Sequence, residues 1–171
     1  VSLAINVSPR QLGHGRLHRL VSDTLMKWDF PAERLELEIT EYAMLQDDEA
    51  TIDELQRLKS LGVKVVLDDF GTGYSSFSYL HQFPFDKLKI DRSFIDGFEA
   101  SGRRANVIRG IIVMAVGLGI EITAEGVEEK DQLTLLNLMG CTYAQGFLLG
   151  KPMPASELGL GKTFLNERSA R

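Results

Sequence analysis

The chain has little of what several common chemistries require. Its 171 residues include one cysteine, Cys141, so no internal disulfide can form and a reducing compartment is expected. It has no excess of positive charge. Nineteen Lys and Arg stand against 24 Asp and Glu, for a net charge of −5 and a pI near 5.2, which argues against a nucleic-acid polymer as partner. The longest apolar stretch, Ile111 to Ile120, contains two glycines and is too short to span a bilayer. No membrane contact is expected from this segment, and the expected location is the cytoplasm, either free or as the cytoplasmic part of an anchored protein. The sequence lacks a Gly-x-x-x-x-Gly-Lys loop, a Gly-x-Gly-x-x-Gly turn and any Ser-His-Asp pattern that can be placed. A small anionic ligand held through metal ions remains compatible with the acidic balance.

What is present is ordinary globular composition, 44% hydrophobic and 25% charged, in a length that suits one domain. Strands and helices alternate with short connections. Leu3 to Val7, Leu35 to Thr40, Val63 to Leu67, Lys87 to Asp91, Ile120 to Ala124 and Cys141 to Leu149 read as strands. Between the first two, Leu17, Leu20, Val21, Thr24, Leu25 and Trp28 fall on one helical face. Asp47-Asp48 can cap a helix that turns Ile52, Leu55 and Leu58 inward. A short helix is expected around Ser76 to His81. Longer ones carry Val107, Ile108, Ile111, Ile112 and Ala115, and then Glu128 to Met139. Leu61-Gly62-Val63, Leu118-Gly119-Ile120 and Met139-Gly140-Cys141 each join a helix end to a strand through one glycine. This alternation predicts parallel strands with helical crossovers, in an open sheet or a barrel.

The strand ends are unusually polar. Val65-Val66-Leu67 runs into Asp68-Asp69 and then a turn at Gly71-Thr72-Gly73. In Leu35 to Thr40 the apolar side chains alternate with Glu36, Glu38 and Thr40; Leu88 and Ile90 likewise alternate with Lys87, Lys89 and Asp91. With helices covering the apolar face, the polar face points into a barrel. The inward polar residues nearest each strand end are Asn6, Glu38, Asp68 with Asp69, Lys89, Glu125 and Gln145, spaced 20 to 36 residues apart. They lie at the face where parallel α/β folds place their sites. Four carboxylates and an amide oxygen make a hard oxygen site suited to Mg²⁺ or Mn²⁺. Zinc does not fit, because His14, His18, His81 and Cys141 lie outside this set.

At these residues the chain resembles the EAL family of bacterial cyclic di-GMP phosphodiesterases. The segments that carry the likeness are Asn6-Val7-Ser8, Glu38-Ile39-Thr40-Glu41, Asp68-Asp69-Phe70-Gly71-Thr72-Gly73, Lys87-Leu88-Lys89-Ile90-Asp91, Glu125-Gly126-Val127-Glu128 and Ala144-Gln145-Gly146-Phe147. The resemblance implies an α/β fold of modified TIM-barrel type. It implies a two-metal site, loaded with Mg²⁺ or Mn²⁺, that hydrolyses cyclic di-GMP to linear pGpG. Carried over position by position, Asn6, Glu38 and Asp68 ligate one metal, and Asp68 bridges to a second held by Asp69 and Glu125. Lys89, Glu125, Asp69 and Gln145 are the expected catalytic group. Glu41, Asp91 and Glu128 are expected to support them from behind, Glu41 by tethering the loop after Asp69.

The chain departs from the family in one respect. The signature Glu-x-Leu on an early strand is absent, and Glu33-Arg34-Leu35 is a chance match. Only about six of eight barrel strands are expected, over residues 1–160, with 161–171 as a tail. This reads as an N-terminal truncation that leaves the chain itself inactive and leaves sheet edges open to self-association, as a homodimer or higher oligomer. A sensory or GGDEF domain is expected upstream. The alternatives are an inactive cyclic di-GMP receptor or scaffold and, more distantly, a barrel lyase acting on a small carboxylic acid.

Overall fold

A computed structural model describes residues 2–12, 15–44, 49–72, 80, 83, 85–97 and 102–157. Six strands form one sheet: β1 (Leu3–Val7), β2 (Leu35–Thr40), β3 (Lys64–Phe70), β4 (Lys87–Ile90), β5 (Glu121–Ala124) and β6 (Tyr143–Ala144). Spatial order follows chain order and every neighbouring pair is parallel. That sequential order is the order of a TIM-type barrel. The sheet is not closed, so β1 and β6 are its edges.

The helices are α1 (Pro9–Leu12), α2 (Leu17–Trp28), α3 (Glu41–Met44), α4 (Glu49–Ser60), α5 (Arg92–Ile95), α6 (Arg103–Gly117) and α7 (Lys130–Leu138). The apolar face of the sheet forms the core with them. Leu37, Ile39, Val65, Leu67, Leu88, Ile90 and Ile122 cluster with Leu55 and Leu58 of α4 and with Ile108, Ile112 and Ala115 of α6. Each large aliphatic side chain buried there contributes about 1.5–3 kcal/mol. Gly62, Gly119 and Gly140 end α4, α6 and α7 with positive φ, as one-residue helix-to-strand junctions require.

Several boundaries differ from the sequence reading. β3 does not stop at Leu67 but continues through Asp68 and Asp69 to Phe70, with an irregular register between Leu67 and Phe70. Asp69 takes φ +55°, a left-handed conformation that Asp tolerates better than most residues. The last strand is only two residues, because the chain turns back at Gly146: a Cβ there would lie 2.1 Å from the Val127 carbonyl oxygen. The α2 face is narrower than its spacing suggested. Leu17 and Val21 are buried, whereas Leu20 and Trp28 are exposed. Leu3 and Ile5 share the face of Leu35 and Leu37 but are 50% and 45% exposed, since β1 is an edge strand. Short helices α1, α3 and α5 carry too few residues to show a period. Apart from Leu80, which is buried, the helix expected around Ser76 to His81 lies outside the described residues, as do the Asp47-Asp48 cap and the tail.

Candidate active site

Strand alternation and the register place the site. Asn6 pairs with Glu38, and Thr40 with Asp68, while Lys89 pairs with Thr123 one position before the end of β4. Lys89 sits at the centre. Its Nζ lies 3.0 Å from Glu38 Oε1, 3.0 Å from Asp68 Oδ1 and 2.8 Å from Glu125 Oε1. The lysine and Asp68 are buried, and the Glu38 and Glu125 side chains are nearly so. One ammonium thus draws in carboxylates from β2, β3 and the end of β5.

Asp68, Asp69 and Glu125 each offer an oxygen, and these oxygens lie within 4.8 Å of one another. The bulge after Leu67 makes this possible. It lets two successive residues of β3 serve one site, where regular alternation would send them to opposite faces. The Asp69 N–H donates to Asp68 Oδ1 at 3.0 Å, which fixes one of the bulge's carboxylates.

The electrostatics are those of a site short of positive charge. Burial opposes the charge on Lys89, but hydrogen bonds to Glu125, Asp68 and Glu38 prevail and hold the ammonium above the ordinary lysine range. Burial pushes Glu125 upward; Lys89 pulls it back, and Asp68 and Glu38 add to the rise. Burial also raises Asp69, helped by the neighbouring charges of Asp68 and Asp91 and opposed by Lys89. The four carboxylates outnumber the one ammonium, so divalent cations suit this donor set and would relieve its repulsion.

The supporting residues are distributed as follows. Glu41, at the start of α3, is buried, and its Oε2 accepts from the Gly71 N–H at 3.1 Å. Gly71 has φ +96° and a Cβ there would lie 2.4 Å from the Phe94 ring, so the turn after β3 requires glycine. The Asp91 carboxylate accepts from the Ser93 N–H at 2.9 Å and caps α5. Burial alone would raise Asp91; hydrogen bonding from the Ser93 side chain and from the Ser93 and Arg92 N–H groups outweighs it and lowers the carboxyl instead. Glu128 pairs with Arg92 at 2.9 Å on the rim. Asn6 and Gln145 are exposed near the two open edges. The Gln145 carbonyl accepts from the Val127 N–H at 3.0 Å, which ties the β6 end to the Glu125 loop.

The chain belongs to the EAL domain family. The family matches residues 1–152. Cyclic di-GMP phosphodiesterase RocR of Pseudomonas aeruginosa is 38% identical over 154 residues, covering 90% of this chain and 39% of RocR. Among solved structures, the MucR phosphodiesterase in complex with cyclic di-GMP is 39% identical with a TM-score of 0.87, over 92% of this chain and 70% of that one. BlrP1 of Klebsiella pneumoniae, in a complex with manganese and cyclic di-GMP, is 31% identical with a TM-score of 0.80, over 86% of this chain and 38% of that one. The EAL chain described here spans about a fifth to two fifths of the length of the curated relatives it matches.

One feature of this EAL sheet escaped the sequence. Glu36 and Lys87, noted there only as polar-face residues, form a buried ion pair two residues below Glu38 and Lys89. Like-sign spacing along each strand was visible, but the pairing skips over β3 and cannot be read from a linear sequence.

Proposed function

We propose that this chain carries the active site of a metal-dependent phosphodiesterase that opens cyclic di-GMP to linear pGpG. The observation that carries the reading is Lys89 held by Glu38, Asp68 and Glu125, with Asp69 beside them, at the C-terminal ends of parallel strands. The printed activities and ligands of RocR, MucR and BlrP1 support it. Asn6, Glu38, Asp68, Asp69 and Glu125 would hold two Mg²⁺ or Mn²⁺ ions, which supply Lewis acidity and a nucleophilic water near neutral pH.

The chain's own residues then have distinct tasks. Asp68 lies between the Glu38 and Asp69–Glu125 sides and would serve both. Lys89 places a compact positive charge beside the attacking water or a phosphate oxygen, where negative charge grows in the transition state. Water adds its oxygen to phosphorus, one ester P–O bond breaks, and the leaving ribose oxygen takes a proton. Glu125 and Asp69 are the nearby acceptors for the water proton, and Gln145 offers an amide at the rim. Glu41 holds the turn after Asp69 through Gly71, while Asp91 and Glu128 order the β4 and β5 loops.

The open edges at β1 and β6 suit a homodimer or larger assembly, or cover by other parts of the natural protein. An upstream GGDEF or sensory domain fits relatives such as MucR, a bifunctional diguanylate cyclase and phosphodiesterase. A cytoplasmic site is proposed to match the second messenger; no helix among the described residues is long and apolar enough to cross a membrane.

Incubation of the natural protein with cyclic di-GMP and Mg²⁺ or Mn²⁺, with pGpG quantified by chromatography, tests the reading. Linear product that disappears on chelation is expected. Saturable binding of the cyclic dinucleotide with no product under either metal would replace the enzyme by a receptor.

A further inference from the structure

Below the carboxylate cluster the same face of the sheet carries charges that the proposed reaction does not use. Glu36 and Lys87 are 9% and 8% exposed. Lys87 Nζ donates to both oxygens of Glu36, at 2.8 and 2.7 Å. The pair reaches over β3, where Val66 pairs with both Glu38 and Lys87 in the register. Glu36 is two residues before Glu38 on β2, and Lys87 two residues before Lys89 on β4, so each lies directly beneath its namesake in the site.

The other groups around Lys87 are engaged. The Tyr143 ring lies 4.8 Å from Lys87 Nζ, and its hydroxyl bonds Glu121 Oε1 at 3.2 Å. Glu121, the register partner of Lys87, pairs with Lys64 at 3.4 Å. The register partner of Glu36 on β3 is a second lysine, Lys64, but Lys64 is held by Glu121, so the bidentate closure of Glu36 rests on Lys87.

We infer that Lys87 is a positioning residue: by closing on Glu36 it keeps the lower carboxylate from attracting Lys89, which stays directed toward Glu38, Asp68 and Glu125. This rests on the reading of Lys89 as the cation beside the reacting phosphate. A lysine is a point charge on a flexible stem and turns toward an uncompensated carboxylate. A buried carboxylate stripped of its partner exerts a strong pull, because breaking such a pair leaves its charge unscreened. Without Lys87, Glu36 competes for Lys89 from below and takes it out of the site.

Three variants test this in the natural protein. In Lys87→Met, turnover falls about 10- to 100-fold, approaching the cost of removing a group that stabilises transition-state charge. Glu36→Gln/Lys87→Met also lacks the ion pair but leaves no bare carboxylate, and it returns to within about twofold of the parent. A purely structural pair would impair both variants alike. The second readout needs no turnover: Mn²⁺ titration of the 171-residue chain. Lys87→Met binds Mn²⁺ about tenfold more tightly, since the upper carboxylates lose their ammonium and Glu36 adds charge; the double variant returns to the parent affinity. Glu36→Gln alone keeps Lys89 in place, keeps turnover within about twofold and weakens Mn²⁺. It serves, with the double variant, if Lys87→Met does not fold. Equal impairment of the single and double variants, or an unchanged Lys87→Met, overturns the inference. A parent with no turnover would fault the phosphodiesterase reading alone, because the Mn²⁺ comparison would still decide the positioning role.

Discussion

Two lysines on one strand, two residues apart, meet very different surroundings. Lys87 closes on one carboxylate, Glu36, in a pair that balances its charge. Lys89 meets three, Glu38, Asp68 and Glu125, with Asp69 close by. Both lysines are buried, and their carboxylates on β2 are likewise two residues apart. The lower pair is complete as it stands. The upper cluster carries a surplus of negative charge that the described residues do not neutralise, and a fold tolerates such a surplus where a ligand completes it.

The largest expected effect comes from removing the upper lysine. Lys89→Met should lower turnover by about 100- to 1000-fold, as loss of a group that stabilises transition-state charge does. It should also lower the thermal midpoint of the metal-free chain, with Mn²⁺ recovering it, because the carboxylates lose the ammonium that bridges them. Stopped-flow or chromatographic rates and thermal melts with and without Mn²⁺ check both. A melt insensitive to Mn²⁺ would place the surplus charge elsewhere.

Glu41→Ala is expected to act more weakly, through the turn after β3. Its carboxylate no longer receives the Gly71 N–H, so Asp69 loses the turn that holds it, and Mn²⁺ affinity and turnover should fall together by about 10- to 100-fold. Unchanged affinity with full turnover would remove Glu41 from the site.

The smallest effect is on the capping carboxylate below the rim. Asp91→Ala should cost about 1 kcal/mol, as loss of a helix N-cap does. The pH dependence has a defined sign. The Asp91 carboxyl is lowered on folding, so its contribution is present above the ordinary carboxylate range and disappears as pH falls through the folded value. Denaturant melts should therefore separate parent and variant at neutral pH and converge in acid. A difference that grew on acidification would contradict the capping role.

The comparison also shows which parts of the site were legible beforehand. The clustering of Glu38, Asp68, Lys89 and Glu125 could be anticipated because each lies within two residues of the C-terminal end of a strand, and one-unit spacing brings strand ends together in any parallel α/β sheet. Helix-to-strand junctions were legible through Gly62, Gly119 and Gly140, whose φ values need glycine. What depends on the third dimension was not. The bulge that puts Asp68 and Asp69 on one site leaves no sequence mark beyond the two acids themselves. The early end of β6 follows from Gly146 meeting the Val127 backbone, a contact between distant segments. Exposure of Leu20 and Trp28 on α2 and of Leu3 and Ile5 on β1 depends on what lies over them, not on their spacing.

Calorimetric titration of Mn²⁺ into the parent chain and into Asp68→Asn decides whether the Lys89 cluster is a divalent-cation site. Asp68 contacts Lys89 and shares the oxygen cluster with Asp69 and Glu125, so it touches both halves of the site. Saturable Mn²⁺ binding to the parent is expected, weakened about tenfold or more by the lost charge at Asp68. Equal Mn²⁺ affinity in the parent and Asp68→Asn would contradict it.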